Sequence, residues 1–292
     1  MLDSWNPDLL AISSAVFISI ARIFYTTGLA KVTPALSNFI LALVSTAVAL
    51  VFYLLEGGLQ KWPIEGLLWF ISVGFFGTFI GRFLLMISIK LLGMARSTVM
   101  GQTTMIWSAA PAVVILGERM TFPIAAGTIA IMCGSMLLVL DKGEAKKKFP
   151  LRYYLVPLVM TMLLSFAHMC VKQGLLVIPS AAFGMLAASV TAIFFTAGFV
   201  FLIEEVKWNS LEKRPLLAIT FGSFLNTMAS FALWGAMKNG DLVRVVPLSR
   251  LSILLVIFFS WLLFRKQELI NTRIVFGGIL AVAGAFGIIS GR

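Results

Sequence analysis

Long apolar segments separated by short polar breaks run along the whole chain. An α-helix needs about 20 mostly apolar residues to cross the hydrocarbon core of a membrane, and ten segments come close to that length. Their approximate bounds are 9–29, 34–55, 66–89, 96–116, 121–140, 152–177, 180–204, 215–237, 243–263 and 270–289. The pattern therefore predicts an all-α, polytopic membrane protein with ten transmembrane helices.

The composition agrees with lipid as the main solvent. Of the 292 residues, 60% are hydrophobic and 12% are charged, whereas a soluble domain is about 45–50% apolar. The net charge of +11 would suggest nucleic acid in a soluble protein, but here we expect the basic residues to lie in loops beside lipid head groups. Membrane lipids are therefore expected partners and nucleic acid is not. Cys133 and Cys170 fall inside apolar runs and should pack as small apolar side chains, so neither a metal nor a cofactor is predicted.

The two halves of the chain resemble each other. The longest polar stretch, DKGEAKKKFP at 141–150, leaves five predicted helices on each side. SIARIFYTTG at 19–28 aligns with SFAHMCVKQG at 165–174, and FGTFIG at 76–81 aligns with FGSFLN at 221–226. The nearly constant offset between these matches predicts an internal repeat.

The predicted repeats cover residues 1–145 and 146–292, with five helices each. Because five is an odd number, the second repeat enters the membrane from the side opposite to the first. The repeats are therefore predicted to be inverted and related by a pseudo-two-fold axis in the membrane plane. This architecture is typical of transporters.

The sequence resembles the drug/metabolite transporter superfamily in its ten-helix form with two EamA-type halves. The resemblance rests on the two five-helix units, the LGERMT turn at 116–121, and two helices rich in Gly and Ala, GTIAIMCG at 127–134 and GGILAVAGAFG at 277–287. The second half departs from the pattern, with FRKQE at 264–268 in place of LGE. The resemblance implies a central cavity lined by both halves, alternating access and no enzymatic activity.

Five polar side chains lie well inside predicted helices: Arg22, Arg82, Arg250, His168 and Lys172. An Arg or Lys at the centre of a span costs roughly 2.5–3.5 kcal/mol on insertion scales, so such residues generally face a cavity or a partner. All twelve Asp and Glu residues lie in tails, loops or helix ends, which leaves no acid at mid-membrane to neutralise the arginines. Because arginine holds a carboxylate or phosphate by two hydrogen bonds, we expect the substrate to bring the counter-charge.

Further polar and aromatic side chains complete the predicted substrate site. Arg22 and His168 occupy equivalent positions in the two repeats, and each shares a helix face with the residues three before and four after it. His168 is also the side chain expected to carry proton coupling, if coupling exists, because histidine titrates near neutral pH. The other residues predicted to line the site are Ser19, Thr26, Thr78, Ser165, Gln102, Thr103, Ser249, Tyr25, Trp107 and Trp234.

These features favour a secondary transporter that moves a small organic anion or zwitterion, such as a carboxylate, an amino acid or a phosphorylated metabolite. The alternative is a flippase for an anionic lipid or a lipid-linked phosphate, in which the same cations would hold the head group. A membrane enzyme has no support, since no metal-ligand cluster or nucleophile–base pair is present in the sequence. A structural membrane protein would leave the five buried polar side chains unexplained.

The expected location is a cell membrane, specifically the inner membrane of a prokaryote, with the protein as a monomer or homodimer. Basic residues concentrate in the predicted loops opposite the two tails, so the positive-inside rule places both tails outside. Members of the resembling family usually have cytoplasmic tails, which is the opposite orientation.

Overall fold

The computed structural model describes residues 5–29, 31–58, 62–92, 94–139, 150–202, 212–255 and 272–291, and every regular element in these ranges is helical. The prediction of an all-α protein is therefore confirmed for the described residues. The linker at 141–149 and the FRKQE segment at 264–268 lie outside them.

The first half of the chain contains seven α-helices and one π-helical segment within the described residues. Their bounds are α1 (Pro7–Gly28), α2 (Pro34–Leu55), α3 (Ile64–Ser72), the π segment (Val73–Gly81), α4 (Arg82–Leu92), α5 (Met94–Gly101), α6 (Thr104–Val114) and α7 (Phe122–Val139). The π segment continues α3 directly into α4.

The second half begins with a 3₁₀ turn (Leu151–Tyr154). It continues with α8 (Leu155–Val177), α9 (Ala181–Leu202), α10 (Lys213–Asn239), α11 (Leu242–Ser249) and α12 (Thr272–Ser290). Residues 252–255 are also helical, and the predicted helix 243–263 extends beyond the described residues after position 255.

Capping side chains and prolines set several helix starts. The Asn6 side chain accepts a hydrogen bond from the Asp8 amide at 2.9 Å and precedes Pro7. Thr33 accepts one from the Leu36 amide at 3.3 Å and precedes Pro34. Such residues satisfy amides that have no partner within the helix, and proline has no amide hydrogen to satisfy. These signals explain why α1 and α2 begin close to the predicted positions.

Six helical stretches among the described residues are long and apolar enough to cross a membrane. They are Pro7–Tyr25, Pro34–Leu55, Ile64–Ser88, Leu151–Val177, Ala181–Phe201 and Lys213–Asn239. Phe122–Leu137 and Phe276–Ser290 are apolar but shorter. The predicted helix 96–116 is broken between α5 and α6 at residues 102–103.

Large apolar side chains cover much of the outside of the helical bundle. Ile64 is 75% exposed, Phe194 is 76% exposed and Phe286 is 72% exposed. A soluble monomer rarely exposes contiguous apolar surface on this scale. This apolar surface is therefore suited to contact with membrane lipid.

The helices pack in pairs that join the two halves of the chain. In the described part of the chain, α1 packs along α10, α2 along α9 and α7 along α12, while α8 packs against α3, the π segment and α4. Small residues allow the closest approach: a Cβ atom placed on Gly134 would lie 2.5 Å from the carbonyl oxygen of Gly277. The halves are thus interlocked and share one core.

Candidate functional site

A cavity of about 110 Å³ lies between α2, the π segment, α4, α8, α9 and α10. Its polar wall includes the predicted residues Arg82, Thr78 and His168, and Trp234 adds an aromatic face. Trp234 stacks on Phe70, with ring centroids 5.8 Å apart. The remaining lining residues are Ser45, Val73, Gly77, Leu164, Ala167, Val171, Met185, Ala188, Ser189, Ser230 and Leu233.

The π segment forms one wall of this cavity and packs closely against α8 and α9. A Cβ atom placed on Gly77 would lie 2.7 Å from the Ala167 Cβ, and one placed on Gly74 would lie 2.4 Å from the Ala188 carbonyl oxygen. Glycine permits this contact with α8 and α9 because it has no side chain. π-Helical turns inside α-helices occur frequently at functional sites. Here the segment ends immediately before Arg82.

Arg82 reaches across to α10 and α1. Its Nη2 donates to the Ser230 hydroxyl at 3.5 Å, and its guanidinium interacts electrostatically with Tyr25. The Tyr25 hydroxyl donates to Ser223 Oγ at 3.4 Å. Arg82 and Tyr25, predicted from different helices, are therefore brought together.

A second group of cationic side chains surrounds Arg250. Arg250 follows the end of α11, and its backbone amide donates to the Pro247 carbonyl at 3.0 Å. Its Nε is buried and has no hydrogen-bond partner among the described residues. Its guanidinium lies within electrostatic reach of both Arg22 and His168.

His168 connects the two cationic groups, since it lines the cavity with Arg82 and interacts with Arg250. Its Nδ1 lies 3.4 Å from the Ser108 hydroxyl. Ser108 donates to the predicted residue Ser165 at 3.1 Å, and Ser165 donates to the Thr104 carbonyl at 3.1 Å. These contacts hold α8 against α6.

Lys172 lies outside the cavity. Its ammonium donates to the Met237 carbonyl at 2.8 Å and to the Gly240 carbonyl at 2.7 Å. These carbonyls belong to the end of α10, where helices leave acceptors without internal partners. The contact makes Lys172 a cap for α10, and its predicted contact with substrate stays a prediction.

Several other predicted residues bond to the backbone of their own helical turn. Ser19 donates to Val16 O at 2.6 Å, Thr103 to Met100 O at 2.7 Å and Ser249 to Val246 O at 2.7 Å. Gln102 is buried at the break before α6, and Trp107 is 37% exposed and lies outside the cavity. The side chain of Thr26 lies outside the described residues.

The α10 helix contributes polar groups that the sequence-based site did not include. Ser45 and Thr227 share a hydrogen bond of 2.9 Å across α2 and α10, and Ser230 contacts Arg82. Ser223, Thr227 and Ser230 are spaced at i, i+4 and i+7, which places them on one helix face. This spacing is the feature of the sequence that could have indicated these three residues as part of the site.

The described carboxylates make their polar contacts at helix ends and loops. Asp8 accepts from Arg244 Nε at 2.9 Å and Nη2 at 2.7 Å, and Glu56 accepts from the Ser180 hydroxyl at 2.7 Å. Glu212 pairs with the exposed Lys31. Within the described ranges, no carboxylate forms an ion pair with Arg22, Arg82 or Arg250.

Glu118, in the loop between α6 and α7, binds the start of α11. Its two carboxylate oxygens accept from the amides of Leu242 and Val243, each at 2.9 Å. Burial raises the pKa of Glu118 above its ordinary value, although these two hydrogen bonds oppose the shift. The LGERMT turn therefore joins the first half of the chain to the second.

Comparison with known protein families identifies the first half of the chain. The model of the EamA-like transporter family matches residues 5–140. This part of the chain is thus similar to EamA-like transporters. The predicted resemblance to the drug/metabolite transporter superfamily is thereby confirmed, and with its apolar helices the chain is a multi-pass membrane protein.

One solved structure supports the fold along the whole chain. A crystal structure described only as that of a protein matches with a TM-score of 0.78 at 18% identity, covering 98% of this chain and 99% of the other. At this identity the likeness concerns the fold alone. The comparison with curated proteins gives no match.

Proposed function

We propose that the protein is a secondary transporter that moves a small organic anion or zwitterion by alternating access through its central site. The observation that carries this proposal is the grouping of Arg22, Arg82, Arg250 and His168 around the interior of the bundle. An uncompensated buried charge is costly, and the described carboxylates lie elsewhere. A bound anion would supply the missing compensation.

We further propose that ten helices cross the membrane as two inverted repeats. Reciprocal contacts support this arrangement: Gly127 approaches Gly284, and Gly134 approaches Gly277. Another reciprocal pair joins equivalent sequence positions, since Ala21 packs against Gly222 and Ala167 packs against Gly77. A pseudo-two-fold axis converts each contact into its counterpart.

Transport through the central site is tested by counterflow of radiolabelled anions in proteoliposomes. We expect Arg22→Gln, Arg82→Gln and Arg250→Gln each to lower the rate at least about tenfold, the scale expected for losing one charged hydrogen bond. Lys31→Gln is the matched control because Lys31 forms an exposed ion pair and does not line the cavity, and such pairs contribute little. Wild-type rates in all three arginine variants would contradict the proposal.

A further inference from the structure

We propose that the cavity binds a compact monocarboxylate, with the carboxylate at Arg82 and an uncharged hydrocarbon chain directed towards Trp234. This inference rests on the proposed transport function and narrows its substrate. Both residues line the cavity. The support comes from the two ends of the cavity, which differ in chemistry.

The helix formed by α3, the π segment and α4 runs antiparallel to α8 along the cavity. A Cβ atom placed on Gly81 would lie 3.0 Å from Leu164 Cδ2, and one placed on Gly174 would lie 2.6 Å from the ring of Phe70. Phe70 and Arg82 are twelve positions apart in the sequence, which corresponds to about 18 Å at the rise of an α-helix. The cavity therefore has one end near Arg82 and the other near Phe70.

The end of the cavity near Phe70 is apolar. Trp234 lines the cavity and stacks on Phe70, with ring centroids 5.8 Å apart. Val73 follows Phe70 by one helical turn, and Val171 precedes Gly174 by one helical turn. Both valines line the cavity. A charged group placed at this end would lose its hydration without gaining a charged partner.

The opposite end of the cavity carries the charge. Arg82 Nη2 donates to the Ser230 hydroxyl at 3.5 Å, which is longer than the 2.7–3.2 Å range typical of such bonds. The Ser230 hydroxyl itself donates to the Asn226 carbonyl at 3.0 Å. A guanidinium has five N–H donors, and two of them can bind one carboxylate in parallel. This end of the cavity therefore suits a single carboxylate.

The other polar groups of the lining have partners within the protein. Ser45 shares a hydrogen bond of 2.9 Å with Thr227, and Ser189 donates to a carbonyl of its own helical turn at 3.1 Å. His168 Nδ1 lies 3.4 Å from the Ser108 hydroxyl. Among the described lining residues, only one side chain carries a permanent charge, and none is a carboxylate. A ligand with one negative charge and no positive charge matches this lining.

The size of the cavity limits the length of the hydrocarbon chain. Its volume is about 110 Å³, and an engineered cavity of about 150 Å³ in another protein binds benzene. Benzene and butyrate have the same number of non-hydrogen atoms. We therefore expect the best ligand to have about three to five carbon atoms.

The binding test uses the full-length protein purified in detergent and isothermal titration calorimetry at matched ionic strength. The pH is 8, above the usual titration range of histidine. Butyrate, succinate and 4-aminobutyrate have equal length and differ only in the group at the far end. We expect butyrate to bind at least about tenfold more tightly than either of the others, because their second charge would meet the apolar end.

A series of unbranched acids tests the size limit under the same conditions. The acids are acetate, propionate, butyrate, hexanoate and octanoate. We expect the affinity to rise about fourfold for each methylene group from acetate to butyrate, because each is buried against apolar side chains. The affinity should then fall for hexanoate and octanoate, which exceed the cavity.

Variants at the two ends of the cavity should have different effects. Trp234→Phe enlarges the apolar end and should move the optimum towards hexanoate, whereas Arg82→Gln should weaken all acids about tenfold without changing their order. Trp62→Phe is the matched control, because Trp62 is 57% exposed and does not line the cavity. If Trp234→Phe does not fold, Val171→Ala enlarges the same end.

The results separate this inference from the proposed function. Succinate or 4-aminobutyrate binding as tightly as butyrate, an affinity that still rises at octanoate, or an unchanged optimum in the enlarged variant would overturn the monocarboxylate assignment. Counterflow of any anion above that of protein-free liposomes would leave the transport proposal standing in each of these cases. Butyrate binding without counterflow of any anion would overturn the transport proposal.

Discussion

At the scale of single residues, two cationic side chains inside predicted helices have different surroundings in this protein. Arg82 faces a cavity, whereas Lys172 binds the last carbonyls of α10. Both lie inside predicted helices, and both were expected to bind substrate. Helical spacing identifies the face on which a side chain lies, but it does not reveal which helix packs against that face.

Replacing Lys172 by Met should lower stability and leave anion selectivity unchanged. The ammonium makes two hydrogen bonds to backbone carbonyls, and a hydrogen bond to a charged group contributes about 1.5–3 kcal/mol. We expect a lower thermal unfolding midpoint by scanning fluorimetry, with the order of preference among anions retained in counterflow. Loss of anion selectivity with unchanged stability would instead support the predicted contact of Lys172 with substrate.

Glu118 should make stability depend on pH. Burial raises its pKa above the ordinary value of 4.5, so the folded state binds the proton more tightly than the unfolded state does. Its contribution to stability therefore falls as the pH rises from below 4.5 through the raised pKa. Asp241 opposes ionisation of Glu118 and Lys172 favours it.

The measurement is the unfolding midpoint as a function of pH for the wild type and Glu118→Gln. Because glutamine does not titrate, we expect the variant to show a flatter dependence in this range. Identical slopes in the two proteins would exclude Glu118 as the group responsible.

At the scale of helices, the prediction succeeded where an unbroken apolar run ends at a strong sequence signal. Pro34 and the polar residues after Leu55 define α2 as expected. The predicted helix 96–116 is not continuous, since turn residues 102–103 interrupt it. The prediction did not include this break because hydropathy carries no signal for it. The π segment likewise has no hydropathy signature, although it sets the position of Arg82.

The contact of the π segment with α9 can be tested at Gly74. A Cβ atom there would lie 2.4 Å from a backbone oxygen, and backbone cannot move aside as easily as the end of a side chain. We expect Gly74→Ala to lower both the unfolding midpoint and the transport rate, because Thr78 and Arg82 would shift with the segment. Both are measured on the same preparation.

Gly198 in α9 provides the matched control, since a Cβ atom there meets nothing within 4 Å. Gly198→Ala should be neutral or stabilise the protein by about 0.5–1 kcal/mol, because alanine favours a helix over glycine. Equal losses in the two variants would show that close packing is not the cause.

At the scale of the whole molecule, buried polar contacts join the two halves near the chain termini. Asp8 and Arg244 form a bidentate ion pair, and Arg244 also donates to the Ile289 carbonyl at 3.0 Å. Their side chains are 7% and 16% exposed. The sequence predicts a repeat, but it does not predict this pairing, because the partners are more than 200 positions apart.

Removing only one charge of the Asp8–Arg244 pair should destabilise the protein more than removing both charges. Asp8→Asn leaves Arg244 buried without its counter-charge, which typically costs about 3–5 kcal/mol. The double variant Asp8→Asn, Arg244→Gln removes both charges and should be destabilised by less than the sum of the single variants. Chemical unfolding of the wild type, the two single variants and the double variant gives the coupling free energy between Asp8 and Arg244. Additive losses of unfolding free energy would show that the two side chains act independently.

The packing of α1 along α10 determines when the protein can finish folding during its synthesis. The first helix leaves the ribosome on the order of ten seconds before residues 213–239, given synthesis at about 5–20 residues per second. During that interval Arg22 lies in a helix whose main partner has not yet been made. We therefore expect that the N-terminal half does not fold as an independent unit, and that the first helix enters the membrane with Arg22 before the eighth predicted helix has been made.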